Sequence, residues 1–286
     1  MTGFLRTMAP SRRRTSSAAP WVAAVVMASQ VHAGASTESP IQDNSFLVEE
    51  AYNQEPGVIQ HISSYARSHG DGSWVYTFTE EWPAGGQVHQ ISATLPVLGV
   101  STDARRRHGL GDVALNYRYQ AVGDGAARVA VAPRLSLILP TGDEAQALGS
   151  GSRGLQVAVP ASIVVARRFV THWNLGGTWL PNARSPSGDE ARATAVNAGA
   201  SVVWLARPRL NVLLETVWAR AEFVTGPGRT AIASSAFVNP GLRWAFDTAA
   251  GLQIVPGVAV PLGVGPSSGE RQVFLYLSFE HPLKRR

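Results

Sequence analysis

From about residue 58 onward, apolar residues recur at every second position, and no long stretch shifts to the 3.6-residue period of an amphipathic helix. In 129–139, Val129, Val131, Pro133, Leu135, Leu137 and Leu139 share one parity, and Ala130, Ala132, Arg134, Ser136 and Ile138 the other. In 155–165, Leu155, Val157, Val159, Ala161, Ile163 and Val165 stand opposite Gln156, Ala158, Pro160 and Ser162. Near the C-terminus, Val273, Leu275, Leu277 and Phe279 alternate with Gln272, Phe274, Tyr276, Ser278 and Glu280. Residues two apart in a strand point to the same face, so each run has one apolar face and one mixed face. Twelve such runs are expected, near 58–68, 73–83, 88–97, 111–121, 127–139, 154–167, 172–181, 194–206, 210–222, 236–247, 251–263 and 271–282. Each has roughly the 9–11 residues that a tilted strand needs to cross a bilayer, or slightly more. The chain reads as all-β.

The links between runs alternate in length. After the second, fourth, sixth, eighth and tenth runs they are tight, at Gly85-Gly86, Gly123-Asp124-Gly125, Phe169-Val170, Arg207-Pro208-Arg209 and Thr248-Ala249. After the third, fifth, seventh and ninth they are long and polar: 101–109, 141–153, 182–192 and 225–235. The first and last outer links, 69–72 and 265–269, are short exceptions. Short turns on one side and longer loops on the other mark an antiparallel transmembrane β-barrel. An even strand count brings both termini to the short-turn side, which export would make the periplasm.

Trp74, Trp82, Trp173, Trp179, Trp204, Trp218 and Trp244 each fall near an end of an expected run. That placement suits the aromatic girdles at a membrane–water boundary, whereas a soluble sandwich would bury its large aromatics mid-strand. Opposite the apolar parity stand Asp112, Asn116, Arg118, Arg134, Asn197, Glu215, Arg243 and Glu280. Charges there face a lumen; on the lipid face a midplane Arg costs about 2–4 kcal/mol. Asp112, Arg118, Arg134, Glu215, Arg243 and Glu280 are the candidate solute path, or alternatively ion pairs that brace the barrel. Two runs fit less well. Glu80 shares parity with Trp74, Tyr76 and Phe78, and 58–68 alternates poorly.

Residues 1–33 read as a cleaved signal peptide, with basic residues up to Arg14, an apolar stretch over 18–28 and Val31-His32-Ala33 before the cut. The apolar stretch is about half of the roughly 20 residues that a transmembrane helix requires. The leader also carries four of the 25 basic residues and no acid, leaving 21 positive against 20 negative charges. That balance offers no electrostatic footprint for nucleic acid. The absence of cysteine excludes a disulfide framework, a thiolate metal site and a thiol nucleophile. Residues 34–57 lie before the first run, as a periplasmic or plug segment; Phe46–Tyr52 suits a short helix, too brief to be stable alone.

Other motifs yield to their context. Gly149–Gly154 spells G-x-G-x-x-G, but a polar loop precedes it and a strand follows, the reverse of a dinucleotide site. The histidines of the mature chain, His61, His69, His89, His108, His172 and His281, show no metal-ligand spacing. Ser68, His69 and Asp71 sit at one hairpin tip, yet adjacent strand residues point apart, so no nucleophile–base pair is expected there. Arg105-Arg106-Arg107-His108 is the one dense charge run, a solvated loop or a contact for lipopolysaccharide phosphates.

Pro133-Arg134-Leu135-Ser136-Leu137-Ile138-Leu139-Pro140-Thr141-Gly142-Asp143, followed by the Gly-rich loop and the strand at Leu155, resembles the outer-membrane transporter family first labelled a phenol meta-pathway degradation protein. Phe46–Ile62, Phe78–Pro83 with His89-Gln90, and Leu275–Leu283 extend the resemblance over nearly the whole mature chain. Members tend to end on an aromatic residue; here Leu283 is followed by Lys284-Arg285-Arg286. The resemblance implies a barrel, and a channel for small, aromatic or hydrophobic compounds.

The expectation is therefore a twelve-stranded barrel over 58–286 in a Gram-negative outer membrane, passing a small solute passively, without cofactor or metal and without enzymatic activity. Its partners are then membrane lipid and lipopolysaccharide, the barrel-assembly machinery and the solute, with no nucleic acid. The alternatives are a non-transporting structural or surface-interaction barrel, or a hydrolase on the barrel wall.

Overall fold

The computed structural model describes residues 44–102, 105–248 and 252–282. The expected signal peptide and its cleavage point, and residues 34–43, lie outside them. The chain forms one closed antiparallel barrel of twelve wall strands. These are β1 Val58–Ser68, β2 Trp74–Pro83, β3 His89–Thr102, β4 Val113–Tyr119 and β5 Arg134–Leu139, the last two continuing segments at Arg105–Leu110 and Val129–Val131. Then follow β6 Gly154–Ala166, β7 Phe169–Arg184, β8 Glu190–Arg207, β9 Leu210–Gly226 and β10 Arg229–Trp244. Finally come β11 Gln253–Ala259, with Leu262–Gly263, and β12 Gln272–Pro282. Neighbours in sequence pair in turn, and β12 closes on β1 from Val58↔Pro282 to Ser68↔Gln272. β1, which alternates least clearly, is laddered along its whole length to β12 and over Gln60–Arg67 to β2.

The wall breaks where proline removes an N–H. Between the two parts of the fifth strand, Ala132-Pro133 faces Val159-Pro160 across the ladder. Val260-Pro261 likewise interrupts the eleventh strand opposite Asn239-Pro240. Ahead of β4, Gly111 and Asp112 stand where β3 has Pro96, and the Gly111 N–H donates to the Pro96 carbonyl.

The sequence underestimates strand length at the long-loop end. Residues 182–192 and 225–235 extend β7 with β8 and β9 with β10, closing at turns whose Gly188 and Gly228 have φ of +86° and +65°. The arginine run likewise lies in a paired arm, Val97–Thr102 against Arg105–Leu110, whose base at Val97–Gly99 is also paired to β2. Polar composition predicted loops there, but beyond a membrane a hairpin can be polar on both faces and still keep its ladder. Among the described residues, 140–153 remains the long loop of the four expected. It holds a 3₁₀ turn at Glu144–Gln146 whose N–H at Gln146 donates to the Asp143 carboxylate.

The barrel is inside out relative to a soluble protein. Leu135, Leu137, Leu155, Val157, Val159 and Leu175 are exposed on the outer surface, while Asn116, Arg118, Arg134, Ser136, Gln156 and Glu215 are buried. A continuous apolar exterior of this extent requires a lipid surround. Trp173, Trp179, Trp204 and Trp218 also stand exposed outside, and Trp74, Trp82 and Trp244 partly so. With the strands extended, Trp179 and Trp218 lie well within β7 and β9 rather than at their ends. Glu80 is on the outer face near the short-turn end, 3.9 Å from His61. The interior is not uniformly polar. Ile62, Ala66, Val75, Phe274 and Tyr276 form an inward apolar cluster with Phe46, from the segment ahead of the barrel.

Candidate functional site: the lumen and the strap that fills it

Asn44–Gln54 forms a strap inside the barrel, every residue buried except Leu47, which is partly so. No helix forms at Phe46–Tyr52; the strap is irregular. A run this short cannot recover the cost of helix nucleation, and its N–H groups are instead taken by wall side chains.

The strap follows the inner wall from strand to strand. The Arg243 guanidinium of β10 donates to the Asn44 carbonyl at 2.8 Å. Ser45 Oγ donates to Ser201 Oγ of β8 at 2.6 Å. Three consecutive N–H groups, of Phe46, Leu47 and Val48, converge on Glu215 Oε1 of β9 at 3.0, 2.7 and 3.0 Å. Asn239 of β10 donates to the other oxygen at 2.6 Å. Further on, Asn174 of β7 bonds both the N–H and the carbonyl of Glu49. The Ala51 N–H donates to Ser162 of β6, itself 2.8 Å from His172 Nδ1. Gln120 accepts from the Asn53 N–H, and Gln90 of β3 from that of Gln54. Side-chain amides and hydroxyls here stand in for the ladder that an irregular segment lacks, as buried backbone groups require.

Apolar strap residues sit over glycines. A Cβ added at Gly241 or Gly257 would lie 2.6 Å from the Phe46 ring, and one at Gly199 would lie 3.0 Å from Val48 Cγ2. Phe46 packs against Phe274 and Tyr276, with ring centroids 5.2 and 5.4 Å apart.

Five of the six candidate path residues face this interior. Arg134 holds the Glu49 carboxylate in a two-pronged contact through Nε and Nη2. Arg118 donates to the Tyr52 carbonyl at 2.8 Å, and its Nη2 lies 3.8 Å from Glu49. Arg243 also lies over the Tyr276 ring, 5.2 Å from its centroid. Glu280 accepts from Gln54 Nε2 at 3.1 Å, and Glu215 anchors the strap backbone as above. Asp112 is the exception, and its assignment to the path is corrected. Its carboxylate accepts from the N–H of Gly142 and from the N–H and hydroxyl of Ser150, which staples the 140–153 loop at the long-loop end.

The bracing alternative has these arginines and glutamates pairing with one another across the wall; each of the five also has a contact with the strap. Sequence reasoning missed Glu49, Phe46, Asn174, Gln156, Ser162 and His172. Two signals for the strap existed: an acidic pair in an Asn/Gln-bearing aperiodic segment, and glycines at lumen parity in β8, β10 and β11.

No nucleophile–base pair forms at the 69–73 hairpin. Ser68 Oγ accepts from the Gly70 N–H, and Asp71 binds Ser73. The Ser–His contact that does exist, Ser162 with His172, is sealed beneath the strap. Gly149–Gly154 runs through the 140–153 loop into β6, and Gly151 has φ +65°.

No family model matches the chain, and no curated protein matches it in sequence. Among solved structures, an outer-membrane channel from Pseudomonas putida F1 superposes with a TM-score of 0.62 and 14% identity, covering 81% of this chain and 97% of that one. The NanC porin gives 0.52 and 11%, covering 77% and 98%. At these identities the likeness is one of fold.

Proposed function

We propose that this chain is an outer-membrane channel for passive passage of a small solute, closed in the state described here by its own strap. The single observation that carries the reading is the complete burial of Val48, Glu50 and Ala51 within the lumen. Solvent does not reach them, and conduction on this reading requires the strap to move. The wall it covers carries Arg118, Arg134, Gln156, Glu215, Arg243 and Glu280, groups that water solvates readily once uncovered. Withdrawal of the strap turns a plugged barrel into a polar-lined one, and those charges then line the solute's path.

The two solved relatives are a channel and a porin by name, which supports the same reading. The sequence resemblance adds small aromatic or hydrophobic compounds as the solute class. With the leader directing export, the short-turn side and both termini lie in the periplasm, and lipid, lipopolysaccharide and the assembly machinery are the partners of the outer surface. No chemistry is assigned to the lumen; the channel is not an enzyme.

The test is single-channel conductance of refolded 34–286 beside 58–286. Intermittent conductance from the longer chain and steady conductance from the shorter is the expected outcome. Silence from both, with folding confirmed, favours the second reading: a structural barrel whose strap is permanent filling. The density of strap hydrogen bonds is the observation on that side.

A further inference from the structure

Arg118 and Arg134 are direct register partners in the β4–β5 ladder, and both point inward. Like charges placed directly opposite on one sheet face destabilise the pairing. Two buried guanidinium groups side by side call for an anion; the carboxylate in contact with both is Glu49 of the strap, while Glu81 of β2, also buried inside the barrel, acts on both arginines without a hydrogen bond to either. The wall itself holds Arg134 by neutral acceptors: Asn116 Oδ1 at 2.9 Å from β4, the Ser136 hydroxyl from β5 and Gln156 Oε1 at 3.2 Å from β6. The guanidinium is thus oriented by groups that stay when the strap leaves, and its carboxylate partner goes with the strap.

We propose that Arg134 and Arg118 form a carboxylate-binding site of the channel, and that Glu49 occupies it as a tethered stand-in for the carboxylate of a solute. The inference rests on the reading of the strap as a movable plug, and it names the solute class: a small carboxylate anion. The planar fork of Arg134 matches a carboxylate in two-point contact, with a directionality that a spherical halide cannot use. An arriving carboxylate competes with Glu49, frees the strap near Ala51 and opens the path it then follows. A short flexible tether gives an internal ligand an effective concentration on the order of millimolar, so tens of millimolar of free carboxylate is the working range.

The chain has no cysteine, so a single Ala51→Cys substitution gives a unique thiol, small enough for the site and buried where the strap meets the wall. The experiment is the rate at which a hydrophilic thiol reagent labels full-length A51C in membranes at fixed ionic strength. The probes are benzoate and its neutral near-isostere benzamide. The expected result is labelling roughly tenfold faster with benzoate than with benzamide, the discrimination that one charge-assisted fork supports. A51C/E49Q should label fast with neither present, and A51C/R134Q should lose the benzoate–benzamide difference. A51C/R134K, which keeps charge without the fork, guards against a folding defect in R134Q and should show a reduced difference. Equal rates with benzoate and benzamide overturn the proposal. So does a benzoate effect that survives R134Q, or an absence of labelling in every form including E49Q. The plug reading fails separately, if 58–286 conducts no better than the longer chain. If that comparison shows a plug while benzoate and benzamide act alike, only the carboxylate site falls.

Discussion

A single carboxylate oxygen on β9, Oε1 of Glu215, gathers three backbone N–H groups of the strap. Hydrogen bonds to a charged acceptor each contribute about 1.5–3 kcal/mol. Glu215→Gln keeps the shape and removes the charge, and is expected to lower unfolding stability by about 2–3 kcal/mol and to raise the conductance of the full chain. A urea titration and a bilayer recording check both; an unchanged midpoint contradicts the anchoring role. Outside the membrane, Asp71 tips the first hairpin. Partial burial pulls its carboxyl upward, but hydrogen bonds from the Ser73 N–H and hydroxyl and from Ser68 outweigh this and hold it below the usual range. A depressed carboxyl stabilises the turn above the ordinary Asp value of about 4 and loses that contribution as pH falls through the lowered one. Exchange of the Ser73 amide is therefore expected to quicken in acid, and Asp71→Asn to flatten that dependence. Parity alone assigns Glu215, Arg118, Arg134, Arg243 and Glu280 to the inside, because a strand's period is rigid. It cannot say what they hold, since their partners lie in a segment with no period, and it misplaces Asp112, which stands just before β4 at a break that parity does not see.

Each element carries its own constraint on the strap. Gly257 of β11 and Gly241 of β10 leave the space that the Phe46 ring occupies. Gly257→Ala puts a methyl group within contact of that ring, and overpacking of this kind costs about 1–3 kcal/mol. The substitution is expected to loosen the strap and increase conductance. Phe46→Ala combined with it should cost less than the two separate effects summed, which a double-mutant cycle reads directly. Strand existence was legible where the alternation is sustained, and least so at 58–68, where it is poor. Strand ends were not. β7 to β10 continue as hairpins past the expected runs, where the sequence turns polar and reads as loop. The breaks at Ala132-Pro133 and Val260-Pro261 needed knowledge of which prolines face each other across a ladder, a matter of register. The short helix expected at Phe46–Tyr52 failed for a tertiary reason: wall side chains offer its N–H groups better partners than an isolated turn can.

At the scale of the whole molecule, an apolar exterior and a polar interior make a wall suited to lipid outside and water inside, and the strap replaces that water. Barrel closure was legible from strand count and turn alternation, but occupancy of the lumen was not, since filling a twelve-stranded interior depends on contacts between residues 44–54 and nearly the entire circumference. The central claim is that this strap is a removable plug. Ser45 and Ser201 place their hydroxyl oxygens 2.6 Å apart, one on the strap and one on β8. In a chain without cysteine, the double substitution S45C/S201C introduces one disulfide and ties the strap to the wall. The decisive measurement is single-channel conductance of that variant in the oxidised and reduced states. The account predicts a silent oxidised channel that begins to conduct in bursts when reductant is added and falls silent again on reoxidation. Equal, sustained conductance in both states would contradict it, because ions would then be passing a barrel whose strap cannot move.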